Sequence, residues 1–430
     1  MLLPLAAAGS SPVPVSADYY YHLPVKPIYK SYPVYAAGKE PADYLQRLQQ
    51  QEPDIVFDSS KLHTKEDWIR AGARVFEAPD PAFFDIPVAA LRSPLIYANP
   101  RMPVAKDGTI PFVRYVVREK GKVEGVTFSC AMCHTRVMPD GSVIKGAQGN
   151  IPFETLSVPP GSAESARGFE RLLFGAPWRN PDPLTPLASM SYQEIVAAHA
   201  SIPPGVMARH GTNVFFPVKV PDLIGLKERK FFDATGLVQH RGIGDLMRYA
   251  AWNQGGDLLA HYGDFVPAGK DFCTLPDPTD PKLGRYSDEQ LYALSLYLYS
   301  LQSPRNPHRF DALAAHGKNV FQREGCVSCH APPLYTNNML VPATAQVVSS
   351  VSNLKDSILP IIVATDPSLA LETRRGTGYY KVPSLKGCWY RSMFGHGGWC
   401  ALLEDWFDPQ RTRSDYVPLA IKATTGRHIR

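Results

Sequence analysis

Cys130-Ala131-Met132-Cys133-His134 is a Cys-x-x-Cys-His motif, and the chain contains a second one, Cys326-Val327-Ser328-Cys329-His330. Cysteines separated by two residues lie about one helical turn apart, so their sulfurs can reach the two vinyl groups of one porphyrin while the adjoining histidine lies beneath the iron. A zinc site made of two Cys-x-x-Cys pairs is the alternative, but it leaves both histidines without a role. The motifs therefore predict two covalently bound c-type haems, with His134 and His330 as iron ligands.

Length and composition are those of a globular protein. The chain has 430 residues, which is room for two or three compact domains. Its formal net charge of +5 is small for this length and gives no support for a nucleic-acid partner. The 41 prolines predict short helices and many irregular connections.

The haem motifs also predict where the protein works. Covalent haem attachment is completed on the outer side of the bacterial inner membrane, so a periplasmic or otherwise exported location follows. The segment from Met1 to Ser11 resembles the tail of a signal peptide, apolar and then small, although it is short and lacks a basic start. No later run approaches the roughly 20 apolar residues that span a bilayer, so no transmembrane segment is predicted.

The N-terminal region alternates tyrosine and proline from Tyr19 to Gly38. This composition predicts an extended arm that lies on a partner surface in a larger complex, with a flexible tail as the alternative. Short helices are predicted from Ala42 to Gln50 and from Lys65 to Phe76, the second opened by Thr64 with a capping box.

Strand and helix signals follow along the first half. The β-branched run from Phe112 to Phe128, interrupted by Gly121, predicts a small β-hairpin. Capping boxes at Ser191 and Ser287 predict two helices, the second apolar nearly all round and hence buried. The break Ser303-Pro304-Arg305-Asn306-Pro307 is the predicted main domain boundary. Beyond it, an apolar stripe from Phe310 to Phe321 predicts a helix that packs closely across another beside the second motif.

An internal repeat relates the two halves. Lys219-Val220-Pro221-Asp222-Leu223-Ile224-Gly225 matches Lys381-Val382-Pro383-Ser384-Leu385-Lys386-Gly387, and Phe232 and Phe394 stand seven residues after the closing glycines. Each copy follows a haem motif and precedes a predicted helix. The predicted fold is therefore mainly α: an N-terminal extension over 1–89 and two tandem cytochrome c-like haem domains over 90–304 and 305–430, with long irregular loops, one small β-hairpin and the extended arm.

These pieces resemble the di-haem cytochrome c peroxidase superfamily, which includes tryptophylquinone-forming and rubber-oxygenase di-haem enzymes. The resemblance rests on the two haem motifs, on the Val-Pro-Ser-Leu-Lys-Gly segment, and on Phe394-Gly395-His396-Gly397-Gly398, and it covers residues 90 to 430. It implies that peroxide or oxygen reacts at the N-terminal haem, held by His134, and that the haem held by His330 passes electrons to it.

The resemblance also implies roles for other residues. Where the family's peroxidases place a methionine ligand this chain has Gln410, so a C-terminal histidine, His428, becomes the candidate sixth ligand of the second haem, with a disordered terminal histidine as the alternative. His396 is expected to hydrogen-bond a haem propionate rather than to bind iron. Met138 is expected to pack beside the first haem as a core residue rather than to cap it.

The tryptophan that family members carry between the haems is replaced here by Phe232, so Trp252 is the substitute candidate for the inter-haem path, with a core role as its alternative. Cys388 and Cys400 form either a disulfide or two buried thiols, and Cys273 is left without a partner. The remaining histidines are expected to be structural: His199, His210, His240 and His261.

The leading hypothesis is an exported, peroxidase-like di-haem oxidoreductase served by a redox partner protein. A second hypothesis is a non-catalytic electron-transfer subunit, docked in a larger complex through the Tyr/Pro arm. A third is an oxygenase that acts on an apolar substrate. A five-coordinate haem that binds peroxide is what separates an enzyme from the electron-transfer subunit.

Overall fold

The structure is a computed structural model of the chain. It describes residues 13–14, 21, 24–79, 85–98, 102–157, 161–167, 185–208, 214–251, 253, 265–266, 284–346, 356–363, 365–373, 376–413 and 415–416. Within these ranges, no helix combines the length and the apolar character that crossing a bilayer requires.

Most helices of the described chain are short, as its proline content predicts. The α-helices span Tyr44–Gln49, Lys65–Glu77, Val88–Leu91, Leu95–Ala98, Cys130–Cys133, Phe153–Ser157, Tyr192–Ser201, Ile243–Ala251, Asp288–Ser300, Ala312–Arg323, Ser368–Leu371 and Leu403–Phe407. Turns of 3₁₀-helix span Ser59–Lys61, Thr185–Ser189, Leu226–Glu228, Cys326–Ser328 and Pro409–Thr412.

The strands form small antiparallel sheets. The largest has four strands in the spatial order Ser31–Tyr35, Thr109–Glu119, Lys122–Val126 and Asp85–Ile86. Two-stranded sheets pair Val13–Pro14 with Phe265–Val266, Thr135–Val137 with Val143–Lys145, Val206–Met207 with Val218–Lys219, and Leu340–Pro342 with Tyr379–Lys381.

The predicted mainly α fold with two tandem cytochrome c-like domains is wrong. The predicted hairpin is present, but it is the centre of the four-stranded sheet, and a two-stranded sheet follows each Cys-x-x-Cys-His motif. The arm is not free along its described length, because Ser31–Tyr35 pairs with Thr109–Glu119 as an outer strand. The sequence pattern concealed this pairing, since the two strands lie far apart along the chain and a Tyr/Pro run is also typical of polyproline II. The predicted domain limits stay a prediction.

The capping boxes at Thr64, Ser191 and Ser287 are confirmed. Two of the helices they open, Lys65–Glu77 and Asp288–Ser300, pack against each other near the first motif. They approach tightly at Gly72, where an added Cβ would lie 1.9 Å from the carbonyl oxygen of Ala293. A side chain at this position would therefore force two backbones apart.

We expect Gly72→Ala to lower the free energy of unfolding by about 3 kcal/mol, because backbone atoms cannot move aside as a flexible side chain can. Gly317→Ala is the matched control, since a Cβ at that helical glycine meets nothing within 4 Å. It should raise stability by up to about 1 kcal/mol, through helix propensity alone. Urea unfolding of both variants measures the difference, and equal effects would contradict the tight helix contact.

The helix after the predicted domain boundary does not pack as expected. Ala312–Arg323 forms, but no residue in it is buried, and Phe310 and Leu313 are 73% and 77% exposed. The predicted close helix crossing at Gly317 is not seen within the described ranges, because no atom there lies within 4 Å of a Cβ placed on this glycine. The apolar stripe was sufficient to predict the helix and insufficient to predict its partner.

The two repeats have the same local fold and bond to each other. The Lys219 N–H donates to the carbonyl of His396 at 2.7 Å, and the Lys381 N–H donates to the carbonyl of Ala234 at 2.9 Å. Ala234 and His396 are separated by the same spacing as Lys219 and Lys381. Each repeat thus bonds the aromatic turn that follows the other repeat, so the two repeats form a unit with approximate twofold symmetry.

Candidate functional site

Each motif folds as one turn that brings its residues together. Ser129 opens the first, because its side chain accepts a hydrogen bond from the Met132 N–H at 3.1 Å. The His134 N–H then bonds the Cys130 carbonyl at 3.0 Å, and in the second motif the His330 N–H bonds the Cys326 carbonyl at 2.9 Å. The four motif cysteines are partly buried and form no disulfide, so their sulfurs suit thioether attachment.

The histidine side chains are oriented by backbone carbonyls. His134 Nδ1 lies 2.9 Å from the Pro221 oxygen, and His330 Nδ1 lies 3.1 Å from the Tyr335 oxygen, with the Pro383 carbonyl as a further hydrogen-bond partner. A carbonyl oxygen only accepts hydrogen bonds, so Nδ1 carries the proton in both rings and Nε2 keeps its lone pair. This is the arrangement that an axial haem ligand requires. Pro221 and Pro383 occupy the same position in the two repeats.

Burial also keeps the first histidine neutral. It lowers the pKa of His134 to about 4, although the hydrogen bond to the Pro221 carbonyl and the charge of Asp222 act in the opposite direction. Burial likewise lowers the pKa of His330. A neutral imidazole is the form that binds iron, so the residues present fit a haem at both motifs.

The zinc alternative finds no support in the geometry. Among the described residues, which include both motifs, no three His, Cys, Asp or Glu side chains converge as metal ligands. A structural zinc site needs four such ligands around one point. The two Cys-x-x-Cys pairs therefore do not meet as one tetrahedral site.

A buried carboxylate and histidine are linked to the first motif through Ala208 and Met207. His199 Nδ1 is 2.9 Å from Glu154 Oε2, and the two residues are 1% and 2% exposed. Glu154 Oε1 also accepts the Ala208 N–H at 2.8 Å, and the preceding residue, Met207, has its sulfur 3.4 Å from Cys133 Sγ. His199 was predicted to be structural and Glu154 was not singled out, because residues so far apart in sequence give no local signal of this pairing.

Phe232 lies between the two halves. Its ring is 1% exposed, belongs to the apolar cluster that includes Cys130, and stacks on Tyr249 at 5.2 Å between ring centres. Its carbonyl accepts the Lys381 ammonium of the second repeat at 2.6 Å. Phe232 thus contacts both repeats, and its role between the haems stays a prediction, whereas Trp252 lies outside the described residues.

A histidine and a tyrosine adjoin Phe232. His240 lies 4.6 Å from the Phe232 ring, its Nδ1 bonds the Arg229 carbonyl at 2.8 Å, and its Nε2 bonds the Tyr299 hydroxyl. Because Nδ1 must donate to the carbonyl, Nε2 accepts the phenolic hydrogen. Both ring nitrogens are engaged, so His240 is structural rather than an iron ligand, as expected.

His396 lies in the turn after the second repeat and is buried by aromatic rings. It stacks on Tyr380 at 4.3 Å, and its Nε2 lies 3.0 Å from Thr365 Oγ1. Its Nδ1 is buried and has no hydrogen-bond partner within the described ranges. The predicted propionate contact stays a prediction.

Burial lowers the pKa of His396 to about 4, although Asp366 opposes the shift. The unfolded chain, with a histidine pKa of about 6.5, therefore binds the proton before the folded chain does as pH falls. We expect the free energy of unfolding to fall between about pH 6.5 and pH 4. His396→Phe should make this dependence shallower, and replacement of the exposed His63 by Gln should leave it unchanged. A slope that is the same in all three proteins would contradict the buried neutral ring.

The other predicted site residues divide into four groups. Met138 packs in an apolar cluster with Ala147, Ile224 and Tyr390, as a core methionine does. Gln410 is exposed on a 3₁₀ turn. Cys388 and Cys400 are free thiols, so the disulfide alternative is not the one observed. The rest lie outside the described residues: His210, His261, Cys273 and His428.

Neither a family model nor a curated protein matches the chain. A solved structure of Kuenenia stuttgartiensis hydrazine synthase, pressurised with 20 bar xenon, is similar over 59% of this chain and 81% of that chain, with 16% sequence identity and a TM-score of 0.27. A likeness of this extent carries no argument about fold or function.

Proposed function

We propose that the chain is an exported di-haem c-type oxidoreductase of the peroxidase type. In this proposal peroxide is reduced, or oxygen activated, at the haem held by His134, with electrons from a redox partner protein relayed through the haem held by His330. The observation that carries the proposal is the paired arrangement of the histidines: in both motifs Nδ1 bonds a backbone carbonyl and Nε2 is left for iron. The assignment of roles to the two haems rests on the resemblance to the di-haem peroxidase superfamily.

The haem, when bound, supplies the iron at which peroxide is reduced. The chain would supply His134 and His330 to hold the two haems, each with its ring oriented by backbone carbonyls. His134 contributes most directly, because the Pro221 carbonyl and the surrounding burial fix both its tautomer and its neutral form. His330 is oriented in the same way, by the carbonyls of Tyr335 and Pro383.

Reduction of one hydrogen peroxide to two waters consumes two electrons and two protons, so the first site needs a proton source. We assign this role to the buried acid–base pair of Glu154 and His199. Glu154 accepts the Ala208 N–H, and the preceding residue, Met207, contacts Cys133. His199 Nδ1 donates to Glu154 Oε2, so the pair holds a proton that it can pass on.

The haem content and the spin state test the proposal. The purified protein should carry two covalent haems, and at least one should be high-spin and bind cyanide or peroxide. Absorption and electron-spin resonance spectra of the oxidised and half-reduced protein measure both properties. A protein without haem would refute the proposal altogether.

An electron-transfer subunit is the second candidate, favoured by Phe232. Phenylalanine is far harder to oxidise than the tryptophan that family peroxidases carry, and Phe232 fills the position between the two halves. Two low-spin haems that bind neither cyanide nor peroxide would establish this function in place of catalysis. The proposed docking through the Tyr/Pro arm would then use residues outside Ser31–Tyr35, which already pair within the chain.

A further inference from the structure

Tyr299 and His240 form a hydrogen-bonded pair beside Phe232. Tyr299 lies on the helix Asp288–Ser300, and its hydroxyl donates to His240 Nε2. The direction of this bond is fixed, because His240 Nδ1 donates to the Arg229 carbonyl at 2.8 Å and leaves Nε2 as the acceptor. A phenol is thus held against the lone pair of an imidazole nitrogen, which is a base that can take the phenolic proton.

The turn that carries Phe232 holds the imidazole in position. The His240 N–H donates to the Lys230 carbonyl at 2.8 Å, and the Phe232 N–H donates to the Val238 carbonyl at 3.1 Å. The centre of the His240 ring lies 4.6 Å from that of Phe232 and 5.6 Å from that of Tyr299. The backbone of the turn and these two ring contacts therefore fix the imidazole next to the phenol.

An apolar cluster links the pair to the first motif. Cys130 and Tyr299 both pack against the buried residues of this cluster, so a porphyrin joined to Cys130 would adjoin it. Phe232 belongs to the same cluster, and its carbonyl accepts the Lys381 ammonium of the second repeat at 2.6 Å. The Tyr299–His240 pair thus adjoins a cluster that contacts both the first motif and the second repeat.

Tyr299 is much easier to oxidise than Phe232. A phenol loses an electron more readily than an unsubstituted benzene ring, and more readily still when its proton can pass to a base at the same time. Burial, with the charge of Asp245, raises the pKa of Tyr299, so the phenol keeps its proton at rest. An oxidisable side chain therefore lies one ring away from Phe232, which stands where the resemblance places the family's tryptophan.

We propose that Tyr299 is redox-active: it gives one electron to the haem held by His134 after peroxide has oxidised that haem, and His240 takes the phenolic proton. The inference rests on the proposed function, because it needs that reaction. The O–H bond of Tyr299 breaks, its electron goes to the haem, and its proton goes to His240 Nε2. A neutral phenoxyl radical and an imidazolium result, and the Arg229 carbonyl stabilises the imidazolium through Nδ1. One electron from the haem held by His330, with return of the proton, restores the phenol.

Tyr299→Phe tests the proposal, because it removes the hydroxyl and keeps the ring. Tyr297→Phe is the matched control, since Tyr297 lies on the same helix and packs against the same cluster, but its hydroxyl bonds no described residue. Peroxide is added to the fully oxidised protein, which is then frozen for electron-spin resonance. A tyrosyl radical should appear in the wild type and in Tyr297→Phe and be absent from Tyr299→Phe, with the same haem content in all three. Ring-deuterated tyrosine should narrow the wild-type signal, which identifies a tyrosine without any substitution.

His240→Gln tests the proton acceptor. The amide oxygen can still accept the phenolic hydrogen bond but is not a base, so the radical should form about a hundredfold more slowly. In half-reduced wild-type protein the radical should decay as the second haem becomes oxidised. Equal rates of radical formation in the wild type and in His240→Gln would overturn the role of His240.

The remaining outcomes separate the inference from the proposed function. An unchanged signal in Tyr299→Phe, or a signal that deuterated tyrosine does not narrow, would overturn the inference and leave the proposed function intact. A wild-type protein that reduces peroxide without any radical would do the same. A protein that carries no haem, or that does not react with peroxide, would instead refute the proposed function and the inference with it.

Discussion

Glu154→Gln should retain both haems and the wild-type fold but reduce peroxide about a hundredfold more slowly or worse, as loss of a general acid–base group commonly does. The amide has the shape of the carboxylate, so its oxygen can still accept from the Ala208 N–H, which Glu154 receives at 2.8 Å in the native protein. Its NH2 group can only donate, so it keeps a hydrogen bond to His199 Nδ1 when that ring carries its proton on Nε2. What it loses is the ability to take up and pass on a proton. Steady-state rates at several pH values, with haem content measured on the same samples, separate this effect from unfolding.

The matched control is Glu228→Gln. Glu228 is a glutamate in the same half of the chain, and it pairs with Lys386 on the surface at 2.9 Å. The Glu228→Gln protein should lose neither activity nor haem, because an exposed ion pair contributes little to stability. If Glu154→Gln turned over peroxide within threefold of the wild-type rate across the pH range, the buried pair would be structural and the proton source would lie elsewhere.

The variant with Cys130→Ala and Cys133→Ala should have the largest effect of all: one haem instead of two, and peroxide reduction at the background level. Both sulfurs of the first motif lie on one turn, so no other described cysteine can replace them. The reciprocal variant, Cys326→Ala with Cys329→Ala, should also carry one haem. It should still bind cyanide or peroxide at the first site, while it no longer receives electrons from the partner protein.

Cys388→Ala provides the control for cysteine removal. Its thiol donates to the Leu385 carbonyl at 2.9 Å and belongs to neither motif, so two haems should remain. Loss of the same haem from both double variants, or retention of two haems by either, would contradict the assignment of one haem to each motif.

Local signals predicted the local structure well. The capping boxes fixed the starts of the helices at Lys65, Tyr192 and Asp288, because a side chain and a backbone N–H three residues apart satisfy each other without help from the rest of the chain. The hairpin around Gly121 was also predicted from a local signal. Gly121 has a φ of +88°, which glycine adopts at little cost.

Long-range pairings could not be predicted from the sequence. Ser31–Tyr35 forms a strand because it pairs with Thr109–Glu119, and nothing within the Tyr/Pro run indicates that pairing. The Glu154–His199 pair was missed in the same way, since it depends on the approach of two separate helices. These long-range contacts are also what made the mainly α prediction fail.

The structure of the internal repeat was predictable only in part. The sequence revealed that Lys219 to Gly225 recurs as Lys381 to Gly387, and that an aromatic residue follows each copy. It could not reveal that the repeats hold each other's turns, or that Pro221 and Pro383 turn their carbonyls toward the motif histidines. A repeat establishes that two segments fold alike, whereas their mutual arrangement depends on packing.

The number of haems joined to each chain tests the central claim most directly. Intact-mass measurement of the denatured wild-type protein, with peptide mapping, should find one haem on the peptide that contains Cys130 and Cys133 and one on the peptide that contains Cys326 and Cys329. Four unmodified thiols at these positions in protein made by cells that can attach c-type haem, or zinc recovered with the folded chain, would contradict the account.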